Sequence, residues 1–477
     1  MKAKQAAALF CAAVSAAFGW TGGVTKGTSR AVSRYFERAK ANESTLVAFL
    51  HKMPKGADLH NHLLGAVEAE DLLDTALVRG LFFDRARKTF VAEAGAERGR
   101  YYAAADIVAD AAKRAEALEA ISMRNAALSG ESKHDHFFYA FDRLDAALPD
   151  QAALFRPLFA RAVSERIGYL EITINVDTPE TAAAIDAAKD DALRQFGEEN
   201  PGWNLDVNYI SELYRNAPPE DFKRNLEDGV RRMQDPALRA VGMTMMTSED
   251  NYVSQRDFAE QVAAIDAVCA AYQGGNPPKF SLHAGELTME YARYASLTNR
   301  ISESIRLGHA SRIDHGTAIM WENDVYGLLK LMRDKGIGVT VCLTSNETIL
   351  NVSGGDRHPF RLYWDAGVPV ALATDDQGTL RSNLTLEYAK AAKWFDLSYP
   401  ELKWLAYSSL EIAFLPGESL FIGGDFNRIK PDADSVARRS AKARKQRELA
   451  QAFAAFERAE EAAISEFGWN KPQKNRR

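Results

Sequence analysis

Asp58-Leu59-His60-Asn61-His62 sets two imidazoles two residues apart, and a β-strand is the regular element in which residues i and i+2 share a face. Two histidines on one face can bind a single metal ion. Ser281-Leu282-His283-Ala284-Gly285-Glu286 offers a third imidazole, with Gly285 letting the chain turn so that Glu286 comes back over it. Arg312-Ile313-Asp314-His315-Gly316 and Ala373-Thr374-Asp375-Asp376 add a further histidine and a pair of carboxylates. A second His-x-His, His134-Asp135-His136, precedes a helical pattern over Phe137 to Ala147 and reads as a pair of surface histidines.

Three cysteines, Cys11, Cys269 and Cys342, are too few and too scattered for a cysteine cluster or a disulfide framework, so a metal here is held by His and carboxylate. His60, His62, His283 and Asp375 are the natural ligands. Zinc accepts such donors and in catalytic sites keeps one position for water, whose pKa it lowers from 15.7 to roughly 7. His315 and Asp376 are then placed to orient that water and take its proton. Glu286 faces the substrate as general acid, which requires a protonated carboxyl of the kind burial favours. The expected reaction is metal-assisted hydrolysis at an electron-poor carbon.

These residues act together only if one fold brings them together. Eight short runs rich in β-branched residues recur: Gly56 to Leu63, Tyr169 to Ile174, Leu205 to Ile210, Ala240 to Met246, Lys279 to His283, Arg312 to Gly316, Gly338 to Leu343 and Val368 to Thr374. Most precede a helix-length segment, and this α/β alternation over about 370 residues predicts a (β/α)₈ TIM-type barrel. Chemistry in such barrels gathers at the C-terminal rim of the strands, where all the motifs fall. The barrel domain is placed at 54–425. A helical insertion after strand 1, at about 67–162, includes Ala103 to Leu128 and caps the mouth. Within it, Phe137-Phe138-Tyr139-Ala140-Phe141 is either plain core or an apolar lid.

Residues 20–53 are a lead-in with a helix over Arg30 to Leu50, and 426–477 form a charged helical C-terminal extension whose run from Arg438 to Arg447 reads as a solvated face. With 59 basic against 65 acidic residues the net charge is −6, which excludes a global field for nucleic acid. Lys2 and Lys4 before the apolar run Ala6 to Phe18 match a secretory signal over residues 1–19, too short to span a bilayer. The expected location is periplasmic or secreted, the alternative being an Ala-rich helix of a cytoplasmic protein. No membrane partner is expected beyond that segment. Oligomeric state is open, a homodimer included.

The chain resembles the adenosine deaminase family of metal-dependent amidohydrolases. The resemblance rests on Met53 to His62, Ser281 to Glu286, Ser311 to Gly316, Cys342-Leu343-Thr344-Ser345-Asn346, and His358-Pro359-Phe360 through Thr374-Asp375-Asp376. The Met-Pro-Lys-Gly opening and the signal resemble the extracellular, growth-factor-like branch. The resemblance implies zinc on His60, His62, His283 and Asp375, with Glu286 protonating purine N1. His315 would orient the attacking hydroxide, and Asp376 would contact hydroxide and N7. The products are inosine and ammonia.

Three positions depart from the family pattern. Leu64 stands where an acidic residue usually meets the ribose 5′-hydroxyl, Thr247 where a Gly backbone usually holds purine N3, and Gln377 where a Pro usually follows the aspartate pair. The expected substrate is adenosine or 2′-deoxyadenosine. A 5′-modified adenosine such as the methylthio nucleoside, or adenine, is the alternative that Leu64 suggests. A non-catalytic nucleoside-binding or signalling protein on a retained barrel is the alternative of another class.

Overall fold

Apolar stretches buried on both faces build parallel strands, as in Gly338–Val341, where all four residues are inaccessible. In a computed structural model that describes residues 27–148, 151–196 and 203–469, the predicted runs become eight strands. They are β1 (Gly56–His62), β2 (Ile167–Thr173), β3 (Asp206–Tyr214), β4 (Ala240–Met246), β5 (Phe280–Ala284), β6 (Ala310–His315), β7 (Gly338–Val341) and β8 (Val370–Leu372). All pair in parallel, in chain order, within one sheet. The proposed signal at 1–19 lies outside the described residues.

The barrel closes just beyond β8. Asp375 N–H donates to His60 O at 2.9 Å and His62 N–H to Asp375 O at 3.3 Å, so the closing rung runs through three chemistry-bearing residues. Below it, the Asp58 carboxylate accepts from Thr374 Oγ1 at 2.6 Å and from Asn61 Nδ2 at 3.3 Å, which stitches the first strand to the last. A buried polar layer fills the interior. Arg312 meets Glu171 at 2.7 Å, Ser281 Oγ at 2.7 Å and Leu59 O at 3.0 Å, so its charge is paired and its donors are used.

The segment between β1 and β2 is less helical than the sequence pattern predicts. Phe82–Asp84, Thr89–Val91 and Tyr101–Ala103 pair as a three-stranded antiparallel patch, secured by Arg100 on Asp84. Runs of three aromatic or β-branched residues are too short to display a period of two. Asp110 breaks the predicted Ala103 to Leu128 helix, because its carboxylate caps Ala112 and Lys113 N–H and starts a new one, Ala111–Ala120. Asn42 likewise splits the lead-in into Arg30–Ala39 and Glu43–Lys52.

The C-terminal helix, Ala441–Phe467, corrects a second expectation. Leu449, Phe453, Phe456 and Ile464 recur at helical spacing and are buried against the rest of the core, so the helix braces the barrel from below. Lys445, in the run read as a solvated face, is only 3% exposed and pairs with Asp206 at 3.0 Å. Glu457 accepts from Tyr399 Oη and Lys403 Nζ. Lys55 of the Met-Pro-Lys-Gly stretch is also buried, with Nζ on three carbonyls: Leu50, Met53 and Glu165. That lysine ties the lead-in helix to the barrel. A cavity of about 710 Å³ between the C-terminal helix, Arg166 and Trp203 lies at this N-terminal end and contains none of the candidate chemical residues.

Candidate metal centre and active site

Alternation along β1 turns His60 and His62 to the same side, with Nε2 atoms 3.2 Å apart. His283, at the end of β5, brings its Nε2 to 3.3 Å from that of His62. The closing rung delivers Asp375, whose Oδ1 is 3.2 Å from His60 Nε2 and 3.3 Å from His62 Nε2. All four donor atoms lie within 4.8 Å of one another. Four ligands at 2.0–2.1 Å from a tetrahedral ion stand roughly 3.3 Å from each other, so the spacing is that of an ion's coordination shell. Hydrogen bonding explains it poorly, since a neutral imidazole has one N–H and cannot satisfy several convergent acceptors. His60, His62, His283 and Asp375 therefore fit a small divalent cation.

The rings are aimed from behind. His283 Nδ1 meets Thr244 Oγ1 at 2.9 Å, and His60 Nδ1 meets Thr340 Oγ1 at 3.4 Å and Asp314 at 3.5 Å. Partners on the far ring nitrogen fix both tautomer and orientation, leaving Nε2 free to ligate. Burial lowers the pKa of His62 to about 4 and holds His283 well below its ordinary value, which keeps both neutral. Burial opposes protonation of His60 too, but Cys342, Asp314 and Asp375 outweigh it and draw its pKa upward.

Glu286, His315 and Asp375 form a second convergent set, with His315 Nε2 3.6 Å from Glu286 Oε1. Gly285 has φ 74°, the left-handed turn that returns Glu286 to the rim as its sequence implied. Glu249 secures this turn by accepting from Gly285 and Glu286 N–H at 3.2 and 2.7 Å. Asp376 is placed by the chain after β8, where Gly378 and Thr379 N–H both donate to Gly65 O. A Cβ on Gly65 would sit 1.7 Å from Asp376 Oδ1, so this close approach needs glycine. His315 and Asp375 both hold positive φ, 66° and 56°, left-handed backbone that costs a non-glycine residue energy.

Three carboxyls crowd here and cannot all be charged. Burial, then the charge of Asp375, pushes Glu286 well above the usual range. Burial and Asp375 push Asp376 up as well. Asp375 goes the other way, because hydrogen bonding and attraction from His60, with His315 and His62, overcome its burial.

Of the other predicted positions, Leu64 is half-buried in the turn after β1 and puts no polar group there. Thr247 has φ 78°, the region glycine adopts readily. Its Oγ1 is buried without a hydrogen-bond partner among the described residues. Phe137 packs with Ile349, Leu350 and Leu380 in a cluster separate from the main core. His134 and His136 are not surface residues: they are 9% and 2% exposed. Sequence reasoning missed Glu249, Thr244 and Thr340, ordinary polar residues whose roles come from strand neighbours. The signal for the two threonines was a polar residue inside an apolar run; Glu249 lies in a polar stretch and gave none.

A parallel eight-stranded barrel with three histidines and an aspartate converging at its C-terminal rim defines an amidohydrolase-type, metal-binding protein. Residues 107–420 match the sequence profile of the adenosine deaminase family, more than half of the chain, and the chain belongs to that family. It is 33% identical to adenosine deaminase of Enterococcus faecalis over 135 residues, 28% of this chain and 36% of that enzyme. With the human N6-methyl-AMP deaminase it shares 24% identity over 285 residues, covering 58% of this chain and 74% of that protein. The first match therefore spans about a third of its relative's length. In fold it is similar to an amidohydrolase from Burkholderia ambifaria with bound zinc, at TM-score 0.54 and 20% identity, over 86% of this chain and 94% of that one.

Proposed function

We propose that the protein is a zinc-dependent hydrolase that removes the 6-amino group of adenosine or 2′-deoxyadenosine, giving inosine or deoxyinosine and ammonia for purine salvage. The observation that carries this reading is the convergence of Glu286 and His315 beside a four-donor site, with His315 Nε2 3.6 Å from Glu286 Oε1. His60, His62, His283 and Asp375 would hold the zinc ion, which would supply a hydroxide nucleophile at neutral pH. Glu286 keeps its proton because it is buried beside Asp375 and Glu249, and it donates that proton to a ring nitrogen of the base. His315 orients the attacking oxygen. Asp376, next to Asp375 at the same rim, would take the water's proton. The resemblance of Met53 to Gly56 to the extracellular branch, and the signal-like sequence of residues 1–19, support a location outside the cytoplasm. N-terminal sequencing of the mature protein tests it: an intact Met1 removes that part.

Leu64 favours a second reading, in which the same chemistry acts on a 5′-modified adenosine or on adenine, since no charged group at that position meets a free 5′-hydroxyl. Ammonia release from adenosine, deoxyadenosine, methylthioadenosine, adenine, AMP and N6-methyl-AMP separates these readings, and silence on the whole panel favours a binding protein. Glu286→Gln is expected to keep about one zinc per chain and to lose at least about 100-fold in kcat, the low end of a general-acid contribution. Near-normal turnover would remove Glu286 from the mechanism.

A further inference from the structure

Behind His315 runs a line of buried hydrogen bonds that ends on a group with no choice of direction. The helix Phe360–Asp365 opens with an orphan first-turn N–H, and Phe360 N–H can only donate. It donates to His358 Nδ1 at 3.1 Å. That nitrogen is therefore the acceptor of its ring, and burial, which lowers His358 to about 3, keeps the ring neutral with its proton on Nε2. His358 Nε2 lies 3.1 Å from Asn346 Oδ1, which accepts, so Asn346 Nδ2 is the donor. Asn346 Nδ2 lies 3.0 Å from His315 Nδ1, which must then accept. The proton of His315 is left on Nε2, the atom that faces Glu286 and has no other hydrogen-bond partner among the described residues.

We propose that Asn346 and His358 are positioning residues that lock His315 in its Nε2–H tautomer, so that it presents a hydrogen-bond donor, and not a base, to the reacting oxygen. The proposal rests on the deaminase reading for its functional half. Reversing the tautomer would set two N–H groups against each other at Asn346 or break the bond from Phe360. In a buried site each option strands polar groups without partners. A donor at Nε2 engages one lone pair of the attacking oxygen and leaves another for the substrate, and it assigns proton removal to Asp376. His358 and Asn346 touch neither substrate nor ion in this scheme. They act through His315.

The test reads the tautomer directly, without needing turnover. In protein labelled with ¹⁵N-histidine, a long-range ¹H–¹⁵N spectrum, assigned with His315→Phe, is expected to show His315 with unprotonated Nδ1 and protonated Nε2. Asn346→Asp keeps the shape but has only acceptors, so His315 is expected to move its proton to Nδ1. With a substrate that wild type turns over, kcat is expected to fall by on the order of 10³ to 10⁴-fold, with zinc content unchanged and KM within a few-fold. His358→Gln, which keeps a donor for Asn346, is expected to retain the Nε2–H signature and kcat within tenfold, whereas His358→Phe loses both. This pair decides the matter if Asn346→Asp does not fold. A wild-type His315 protonated on Nδ1 would overturn the proposal, as would an Asn346→Asp variant that switches tautomer and keeps kcat within threefold. An enzyme inert on every substrate tried would instead sink the deaminase reading and leave the tautomer result standing.

Discussion

The chain contains two His-x-His pairs, and only one of them makes a metal-binding site. His60 and His62 lie on a strand, where a spacing of two returns both rings to one face with Nε2 atoms 3.2 Å apart. His134 and His136 lie on the helix Lys133–Asp142, where two residues rotate a side chain by about 200°. The helical pair therefore splays. His134 stacks on Tyr291 with centroids 4.4 Å apart and meets Asp250 at 3.3 Å. His136 turns inward, its Nδ1 2.7 Å from Glu131 and its Nε2 2.9 and 3.1 Å from the carbonyls of Glu119 and Ser122. Every polar atom of His136 is thus committed, whereas the Nε2 atoms of the strand pair converge on each other, His283 and Asp375. The same tripeptide pattern is a ligand set in one place and cross-bracing of the insertion in the other.

The sharpest way to break this contrast is His62→Ala. It is expected to reduce zinc from about one per chain to under a tenth and turnover by at least about 10³-fold, measured by metal analysis and ammonia release. Full zinc in the variant would deny the strand pair its role. His136→Leu should do the reverse, leaving zinc and rate unchanged while three acceptors lose their donor or partner. Denaturant unfolding is expected to show a loss of about 2–4 kcal/mol, and a silent variant would mean that the brace bears nothing.

The smallest effect belongs to His134. Burial lowers its pKa, but hydrogen bonds to Asp250 and Asp135 outweigh that and raise it above 6.5. Because the folded state binds this proton more tightly, the contribution is complete below pH 6.5 and is lost as pH rises through the raised value. Amide exchange of the Lys133–Asp142 helix, corrected for its intrinsic pH dependence, should therefore speed up by a few-fold from pH 6 to 9. His134→Phe should flatten that rise. Equal slopes in the two proteins would show that the ion pair contributes nothing.

How far the site was legible follows the same division. His60, His62, His283 and His315 could be placed from sequence because each sits at the end of an apolar, strand-like run, and local pattern alone locates strand ends. Asp375 was legible as one of an adjacent acidic pair at such an end. The burial of Lys445 could not be read, because a charge run on a helix looks solvated until the opposite surface is known. The three-stranded patch at 82–103 was missed because strands of three residues leave no period. Thr244, Thr340 and Glu249 were missed because their partners come from other strands.

Sequence by itself determined which residue types are present, the eight strands that bear them and the rim at which each is delivered, since these follow from hydrophobic period and chain order. Only the tertiary structure decided that Asp375 bonds back to β1, that Glu286 is buried beside His315 and Asp375, and that a backbone N–H at Phe360 governs the proton on His315. Those outcomes depend on distances of a few ångströms between residues tens to hundreds of positions apart. No local pattern encodes such distances; they exist once the barrel is closed and water is excluded.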